Sequence, residues 1–548
     1  MKDGETATHG GKLLIDCLQA QGVERVFCIP GESFLAALDA LHDAAIDVVV
    51  ARQEGGAAMM AEAAGKLTGR PGVAFVTRGP GATNASAGVH VAFQDSTPMV
   101  LFVGQVASDQ RDREAFQEVD YRAMFGPLAK WVAEIDRADR IPEYVSHAFH
   151  IAQTGRPGPV VLALPEDMLS GPADATPVPA ATLPAGYAST HDIDAIMGAL
   201  SDAQQPLVIV GGGGWDAQAA RDLAQFAGQM GLPVGASFRC QDYLDNRCLN
   251  YVGDVGIGIN PDLADRVRRA DVVLCLGARL GEMTTSGYTL LSAPVPAQRL
   301  IHVYPDPSEI GRVYRPEIAV VASPARVVHQ LAARPERRDG GSRLAEARRS
   351  YEAWQVPEHT HGPLRMENVI THLNAALPDD AILTNGAGNY SAWLHRYYRY
   401  RSWRTQLTPT SGSMGYGLPA AISAKLHHPE RDVICLAGDG CFQMVSQEFG
   451  TACQYGARVV VILADNGMYG TIRMHQQRHY PRRKSGTDIR NPDFKALAEA
   501  YGGFGAVVER DSDFPAALSA ARTAGTAAII HLKLDPRALS PRITLEDG

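Results

Sequence analysis

The chain has 548 residues, of which 45% are hydrophobic, and a formal net charge of −9 at pH 7. This length is too great for a single hydrophobic core and predicts about three domains of ordinary size. The acidic charge balance argues against a general nucleic-acid-binding protein.

Eight cysteines are scattered through the chain without a Cys-x-x-Cys pair, and most of them lie in apolar segments. Buried, reduced thiols are the expected state of such cysteines. The first residues lack the apolar core of a signal peptide, and no apolar run approaches the roughly eighteen residues that a membrane span needs. We therefore expect a cytoplasmic protein without a membrane segment.

The N-terminal part alternates short apolar runs with amphipathic helices. Strands are predicted at residues 26–29, 47–50, 73–77 and 99–103, and each leads through a polar or glycine-containing turn towards the next element. This alternation predicts an α/β domain with a parallel sheet. The Ala- and Pro-rich residues 171–190 indicate a linker.

A second α/β unit follows, with strands predicted at residues 206–210, 272–276 and 300–303 and a four-glycine turn after the first of them. The charged residues 334–363 indicate a second linker with a helix inside it. A third α/β unit starts near Met366. Similar units on either side of a middle one would fit a distant duplication, which the sequence alone does not show.

The residues that carry chemistry concentrate in the third unit. Residues 433–437 are predicted to form a buried strand, residues 441–456 one helix with apolar side chains at helical spacing, and residues 459–464 a second buried strand. The turns that follow the two strands have the sequences Gly438-Asp439-Gly440 and Asp465-Asn466-Gly467.

Asp439 and Asn466 are expected to meet, because parallel strands end at the same edge of a sheet. A carboxylate, an amide oxygen and a turn carbonyl are hard ligands that suit a Mg²⁺ ion bound to a diphosphate. The glycines would let backbone N–H groups and a helix N-terminus approach the phosphates. The alternative is an ordinary strand–helix–strand crossover with a turn Asp and a turn Asn, since short glycine motifs recur by chance.

Asn466 follows Asp439 by 27 residues. Gly-Asp-Gly, this gap and an Asn before a turn resemble the cofactor motif of the thiamine diphosphate (ThDP) enzymes. The resemblance implies that Asp439, Asn466 and the main-chain carbonyl of Met468 hold Mg²⁺. The residues that it implies around the diphosphate are Gly438, Gly440, Cys441, Tyr469, Asn389 and Tyr390, the last two standing where related synthases typically have Gln-His.

In the first unit, residues 52–72 and the run Arg78-Gly-Pro-Gly-Ala-Thr-Asn84 resemble the pyrimidine-binding domain of the acetolactate synthase group of ThDP enzymes. The resemblance implies that Glu54 hydrogen-bonds N1′ of the cofactor's aminopyrimidine, which favours the imino form that removes the C2 proton. The alternative role for Glu54 is an interaction with the dipole of the helix that starts there.

The segment around Met414 is similar to the family's support beneath the bent cofactor. Met414 would wedge between the two cofactor rings, and the carbonyl of Gly412 would accept a hydrogen bond from the 4′ amine. The alternative is that Met414 is an ordinary core residue.

Substrate residues are implied by the same resemblance. Phe116 and Gln117 would reach the thiazolium side, and Lys130 is either a further contact or a solvated surface charge. Two positions depart from the synthase pattern and bear on substrate choice. Glu32 stands where the synthases have glycine, as a second carboxylate near C2 or as a helix-start residue, and His475 stands in the substrate lid in place of a Trp.

The middle unit departs from the synthases too. After Arg279 it has Leu-Gly-Glu-Met instead of Phe-Asp-Asp-Arg, although residues 301–311 still resemble members that bind FAD. FAD is therefore a doubtful cofactor. Residues 395–404 interleave Arg with aromatic residues, as in platforms for single-stranded nucleic acid; a subunit interface or a local anion site is the favoured interpretation.

The motifs occur in family order along nearly the whole chain, which is identified as a member of the acetolactate synthase / benzaldehyde lyase group of ThDP enzymes. The resemblance implies three doubly wound parallel-sheet α/β domains: a pyrimidine-binding domain at 1–170, a central domain at 190–335 and a diphosphate-binding domain at 360–548. It also implies a homodimer or homotetramer, with each active site between the first domain of one subunit and the third of another.

The function implied is that of an acetolactate synthase-like transferase that decarboxylates a 2-keto acid through ylid and enamine forms of ThDP and ligates the product. The first alternative is a C–C lyase or carboligase of the benzaldehyde lyase or 2-hydroxyacyl-CoA lyase type, with an aldehyde as a substrate. The second is a catalytically idle binding protein, against which the intact Glu54, Asp439 and Asn466 argue. Neither nucleic acid nor membrane is an expected partner.

Overall fold

The structure is a computed structural model that describes residues 8–546. Within them the chain forms three six-stranded sheets, each all-parallel and accompanied by helices, and one small two-stranded antiparallel sheet. The predicted fold class of three doubly wound α/β domains is thus confirmed. The inner strands of the large sheets, such as Gly72–Val76, Pro206–Val210, Val272–Leu276 and Val433–Gly438, are almost continuously apolar, as expected for strands that are buried on both faces.

The first sheet has the strand order β2-β1-β3-β4-β6-β5. Its strands are β1 Arg25–Cys28, β2 Asp47–Val50, β3 Gly72–Val76, β4 Met99–Gln105, β5 Trp131–Glu134 and β6 Pro159–Pro165. Its helices are α1 Gly10–Ala20, α2 Leu35–His42, α3 Glu54–Thr68, α4 Gly79–Asp95, α5 Tyr121–Phe125, α6 Ile141–Gln153 and α7 Glu166–Ser170. In its core, the rings of Phe75 and Phe102 stack with their centroids 4.7 Å apart.

The central domain begins with α8 Thr190–Asp202, directly after the predicted first linker. Its strands are β7 Pro206–Val210, β8 Val234–Ser237, β9 Tyr251–Val255, β10 Val272–Leu276, β11 Arg299–Tyr304 and β12 Ile318–Val321, in the order β12-β11-β10-β7-β8-β9. The further helices are α9 Ala217–Gln229, α10 Pro261–Arg269, α11 Pro324–Ala332 and α12 Gly341–Trp354.

The third sheet has the order β14-β13-β15-β16-β18-β17. Its strands are β13 Ile382–Asn385, β14 Gln406–Leu407, β15 Val433–Gly438, β16 Val460–Asp465, β17 Phe504–Val508 and β18 Ala528–Lys533, and the small sheet is β19 Ala538–Ser540 with β20 Ile543–Thr544. The helices are α13 Met366–Ala376, α14 Ser391–Tyr397, α15 Gly417–His427, α16 Asp439–Gln443, α17 Glu448–Gln454, α18 Gly470–His479, α19 Phe494–Ala500 and α20 Phe514–Thr523.

The first and third sheets have the same topology. Counted along each domain, both follow the order second, first, third, fourth, sixth, fifth. The central sheet instead has the order 3-2-1-4-5-6 of the dinucleotide-binding folds, with the reversal between β7 and β10. The duplication that the sequence left open is therefore matched by identical strand orders in the first and third domains.

The prediction of one helix over residues 441–456 is wrong. The chain forms α16 and α17 with a break at residues 444–447, and α16 starts at Asp439 rather than near Cys441. The break coincides with the boundary between the two compact units of the chain, because residues 445–457 group with residues up to 184 and residues 429–444 do not. Long-range contacts made by Glu448 override the continuous helical spacing.

The helix α12, inside the predicted second linker, packs on the central domain. The rings of Tyr351 in α12 and Tyr251 in β9 meet edge to face at 5.1 Å. The Arg348 guanidinium, buried beside them, donates to the carbonyl oxygens of Asn246, Cys248 and Tyr251. These contacts attach the helix to the middle sheet; the predicted domain boundaries stay a prediction.

Across residues 8–546, none of the helices combines the length and the apolar character needed to cross a membrane.

Candidate cofactor and metal site

The two turns of the Gly-Asp-Gly…Asn motif meet at the carboxyl edge of the third sheet. β15 and β16 are neighbours, with Gly438 paired to Ala464. Asp439 and Asn466 therefore leave adjacent strand ends, and the backbone N–H of Gly467 donates to Oδ2 of Asp439 at 3.0 Å. This is the meeting that the parallel arrangement predicted.

A residue that the sequence did not single out completes this cluster. Nδ2 of Asn491 lies 2.7 Å from Oδ2 of Asp439 and 2.7 Å from Oδ1 of Asp465. The other carboxylate oxygen of Asp465, Oδ2, binds Nε2 of His531 at 2.7 Å and Nζ of Lys533 at 2.9 Å. Local sequence patterns carry no signal for Asn491, because it follows the motif by 25 residues in an irregular segment.

The two carboxyl groups have opposite electrostatic environments. Burial raises the pKa of Asp439, against the hydrogen bonds from Asn491 and Gly440, which lower it. For Asp465, burial acts in the same direction, but the contacts with His531 and Lys533 outweigh it and hold the pKa well below its usual value. Asp465 is therefore an ionised, fully partnered group behind Asp439.

The donor set fits a hard divalent cation. Asp439 is 3% exposed, and with the side-chain oxygen of Asn466 and the carbonyl of Met468 it would offer a metal oxygen ligands only. Among the described residues, no group of three or more His, Cys, Asp and Glu side chains could hold a metal by itself. A sparse all-oxygen set of this kind suits Mg²⁺ that takes its other ligands from water and a diphosphate.

The glycines of the motif are packed against two tyrosine rings. A Cβ on Gly438 would come within 2.6 Å of Cδ1 of Tyr390, and one on Gly440 within 2.8 Å of Cε1 of Tyr469. Tyr390 is buried, which raises its pKa well above the usual value, and its hydroxyl accepts from the N–H of Gly386 and lies 3.1 Å from Sγ of Cys441.

Asn389, the other residue of the predicted diphosphate loop, is engaged with α18. Its backbone N–H donates to Oγ1 of Thr471 at 3.0 Å, and its side-chain Oδ1 accepts from the same hydroxyl at 3.1 Å. Nδ2 of Asn389 lies 3.4 Å from Sδ of Met474. The loop is thus held in place by α18, the helix that follows the turn at Asn466.

The segment predicted to support the cofactor has an open backbone at Gly412. Gly412 has φ +69°, and no atom lies within 4 Å of the position where its Cβ would be. Met414, two residues on, is partly buried and packs against the core of the third domain. An open backbone at Gly412 beside a flexible thioether fits the cofactor role that the resemblance implies.

Glu54 is the first residue of α3, at the carboxyl edge of the first sheet. Gln53 caps the helix through the N–H of Gly56, and the Glu54 carboxylate accepts from Nδ2 of Asn84 at 3.0 Å. Glu54 is half-buried, and within residues 8–546 its other carboxylate oxygen makes no hydrogen bond. Glu54 therefore fits both of its predicted roles: it lies at the start of a helix, and its carboxylate has an oxygen that can bind a ligand.

Glu32 is part of an ion cluster. Oε1 of Glu32 lies 2.8 Å from Nη2 of Arg78, and Nη1 of Arg78 lies 2.8 Å from Oε1 of Glu166. The guanidinium is 8% exposed, whereas the Glu32 side chain is 70% exposed. These residues follow β1, β3 and β6, so the cluster runs along the same edge as Glu54.

Gln117 and Phe116 lie on a loop at this edge. Gln117 has φ +65° and contacts Gly79, where a Cβ would come within 2.9 Å of its carbonyl oxygen. The loop is held by the Glu118 carboxylate, which accepts from the N–H groups of Asp112 and Ala115. The Phe116 side chain is 73% exposed, the largest value among the exposed apolar residues of the described chain.

Three further residues that the sequence singled out lie outside these clusters. His475 is exposed on α18, with its ring stacked on that of His479 at 6.2 Å between centroids. Lys130 donates to the carbonyls of Ile151 and Thr154 at the end of α6, which is a structural role. Arg279 is paired with Glu309 in the central domain, Nε to Oε1 at 3.1 Å.

The Arg- and Tyr-rich residues 395–404 are used in internal packing. The Arg396 guanidinium lies 3.8 Å above the Trp354 ring and binds Glu358, and Arg401 binds the carbonyls of Asn374 and Leu377. The rings of Tyr398 and Tyr400 in this stretch are buried. The stretch therefore lacks the exposed rings of a nucleic-acid platform.

Comparison with known proteins agrees with this geometry. Family models for the thiamine pyrophosphate enzymes match residues 8–124 (N-terminal TPP binding domain), 193–331 (central domain) and 386–532 (C-terminal TPP binding domain). A catabolic acetolactate synthase of Raoultella terrigena is 32% identical over 96% of this chain and 95% of its own. Acetolactate synthase isozyme 3 large subunit of Escherichia coli (strain K12) is 32% identical over 93% of this chain and 92% of its own. The chain belongs to the thiamine pyrophosphate enzyme family and is a relative of the acetolactate synthases.

Proposed function

We propose that this chain is a ThDP- and Mg²⁺-dependent carboligase that decarboxylates a 2-keto acid such as pyruvate and joins the remaining fragment to a second carbonyl compound. The observation that carries the proposal is the meeting of Asp439 with the Asn466 turn at one sheet edge. The relatives named acetolactate synthase support the substrate class.

The roles follow from the chemistry of each group. Asp439, Asn466 and the carbonyl of Met468 would hold Mg²⁺ and through it the diphosphate. Glu54 would hold a proton at N1′ of the aminopyrimidine, and Met414 would support the bent conformer. When bound, the cofactor supplies carbanion chemistry at carbonyl carbons.

The second candidate is a C–C lyase or carboligase that uses aldehydes. It is favoured by the Glu32–Arg78 ion pair, which places a carboxylate at the edge that carries Gln117, where the synthases have glycine. A carboxylate there would disfavour an anionic second substrate relative to a neutral aldehyde.

One assay separates the candidates. The purified protein with ThDP and Mg²⁺ is given pyruvate, benzoylformate or benzoin, and CO₂ and products are followed. CO₂ from a keto acid is the expected result, and cleavage of benzoin without CO₂ release from either keto acid would favour the lyase. Glu54→Gln, an isosteric change, is expected to lower turnover at least about 100-fold with an unchanged unfolding midpoint; full activity in this variant would remove Glu54 from the site.

The proposed reaction is redox-neutral, so it needs no flavin. The strand order of the central sheet is nevertheless that of dinucleotide-binding folds. The absorption spectrum of the purified protein tests this point directly, since a bound flavin would add an absorption band in the visible range.

We further propose a homodimer as the minimum active unit, with each site built from the Glu54 edge of one protomer and the Asp439 edge of another. Mixing unfolded or dissociated Glu54→Gln and Asp439→Asn chains tests it. If sites form between protomers, the mixed dimer contains one intact site and activity returns. If each chain carries a complete site, every site keeps one lesion and the mixture stays inactive.

A further inference from the structure

The carboxyl groups of Asp439 and Asp465, at the carboxyl edge of the third sheet, share two hydrogen-bond donors. The N–H of Gly467 lies 3.0 Å from both Oδ2 of Asp439 and Oδ1 of Asp465. Nδ2 of Asn491 lies 2.7 Å from the same two oxygens. Like charges this close repel each other, and the two donors between them offset that repulsion.

The amide of Asn491 has a defined orientation. Its Oδ1 accepts from Nε2 of Gln443 at 2.9 Å, so the NH₂ end is the one that faces the carboxylates. Gln443 is the last residue of α16, the short helix that Asp439 begins, and its Nε2 also lies 3.3 Å from the carbonyl oxygen of Asp439. The orientation of the Asn491 side chain is therefore fixed by α16, the helix whose first residue, Asp439, it contacts.

Asn491 has no other structural task among the contacts of the described chain. The helix α19, which starts three residues later, is capped by Asp493 through the N–H groups of Lys495 and Ala496. Asn491 is partly buried and contributes no backbone to a strand or helix. Its NH₂ group is used to bridge Asp439 and Asp465.

We propose that Asn491 is a positioning residue for cofactor binding: together with Gly467 it occupies Oδ2 of Asp439, so that the remaining lone pair of Oδ1 is left for the metal. This rests on the proposed role of Asp439 as a Mg²⁺ ligand. Groups that orient a metal ligand typically change metal affinity 10- to 100-fold when they are removed. The residue acts through Asp439 and does not itself touch the reacting atoms, so its loss should weaken binding much more than turnover.

The test is direct binding to the cofactor-free protein. ThDP is titrated at fixed Mg²⁺, and Mg²⁺ at fixed ThDP, by calorimetry or by quenching of intrinsic fluorescence. For Asn491→Ala we expect Kd for ThDP to rise about 10- to 100-fold, while kcat at saturating cofactor stays within about threefold of wild type. A matched control is Asn368→Ala, since Nδ2 of Asn368 also bonds an aspartate, Asp511, at 2.6 Å on another part of this domain; its Kd should be unchanged.

Asn491→Ser keeps the proposal testable if the Ala variant fails to fold, because serine stays polar but is too short to bridge both carboxylates. An unchanged Kd in a folded Asn491 variant overturns the proposal. Asp439→Asn separates this failure from failure of the proposed metal site. If Asp439→Asn loses Mg²⁺-dependent binding while the Asn491 variants keep it, only the role of Asn491 is wrong; if all bind normally, the metal assignment itself is wrong.

Discussion

The carboxylate of Glu448 accepts hydrogen bonds from the backbone N–H of Arg52, two residues before Glu54, at 3.0 and 3.2 Å. Glu448 is fully buried and also accepts from Oγ1 of Thr451 at 2.7 Å. The hydroxyl of Tyr455 accepts from the N–H of Val50, the last residue of β2, at 2.8 Å. The helix α17 is therefore docked on the strand end that presents Glu54.

The first prediction is that Glu448→Gln impairs catalysis by displacing this turn. An amide has one acceptor oxygen, and its NH₂ end cannot accept from the N–H of Arg52. The NH₂ end replaces an oxygen that accepts from Arg52 and Thr451, so one of these hydrogen bonds is lost or reversed, at a cost of about 0.5–1.5 kcal/mol in the free energy of unfolding. We expect kcat to fall about tenfold or more, through a shift of Glu54, with ThDP affinity largely retained.

A matched control uses the same helix. Gln454→Ala removes an exposed bond to the Arg52 guanidinium, Oε1 to Nη2 at 2.7 Å, and leaves the buried carboxylate intact. It should change neither kcat nor the unfolding midpoint appreciably. Equal kinetics for Glu448→Gln and wild type would show that the docking does not orient Glu54.

The second prediction concerns Gly56 in α3. A Cβ at this position would lie 2.6 Å from Oε1 of Glu448 and 2.8 Å from its Cδ. Because both groups are buried, Gly56→Ala should lower the free energy of unfolding by about 1–3 kcal/mol and reduce turnover. Chemical denaturation and kcat measure the two effects.

Gly198 in α8 provides the comparison, since it is also a glycine inside a helix but has no atom within 4 Å of its Cβ position. Gly198→Ala should stabilise the protein by about 0.5–1 kcal/mol, as glycine-to-alanine changes do in helices. Similar stabilisation in both variants would contradict the close approach of Glu448 to α3.

The third prediction is that Glu32→Gln changes substrate preference. The change removes a negative charge beside the buried Arg78, which keeps Glu166 as a partner. Anionic substrates should gain relative to neutral ones, by about three- to tenfold in the ratio of kcat/KM, because solvent screens the exposed Glu32. The ratio for pyruvate against a neutral aldehyde acceptor is the measurement.

Glu143→Gln is the control for this change, because Glu143 is an exposed acid paired with Arg140 at 2.8 Å on α6. It should leave the preference as it is. If Glu32→Gln does so too, Glu32 is only a helix-start residue with an ion-pair partner.

The fourth prediction is a pH dependence of stability from Asp254 in β9. Burial raises its pKa to about 8, against the lowering effect of Arg239, and its Oδ1 has no hydrogen-bond partner in the described chain. In the unfolded chain an Asp has a pKa of about 3.9. The folded state therefore holds the proton more tightly, and stability falls as pH rises between these values.

Asp254→Asn replaces the titrating carboxyl group by an amide that does not ionise. Its stability relative to wild type should grow with pH from about 4 to 8, by at most about 1.4 kcal/mol per pH unit, and then level off. Unfolding midpoints of both proteins at pH 5.5 and 8.5 give the comparison. A difference between the proteins that is independent of pH would mean that Asp254 is not protonated in the folded state at neutral pH.

Much of the architecture could be predicted from local pattern. The buried strands and the three α/β domains follow from apolar runs and glycine turns, and the meeting of the Asp439 and Asn466 turns follows from the parallel strands before them; their cofactor role was implied by resemblance to the ThDP enzymes. These features can be predicted because each depends on residues that are close in the chain, or on the rule that parallel strands end at the same edge of a sheet.

Other features were decided by the tertiary structure alone. The apolar spacing runs on through residues 444–447, yet the helix breaks there, because Glu448 finds its partner in the turn at Arg52. Glu32 and Arg78 pair because β1 and β3 are neighbours, and Asn491 reaches Asp439 from an irregular segment. Such pairings join side chains tens to hundreds of residues apart, and only the packed geometry determines which polar groups satisfy one another when they are buried.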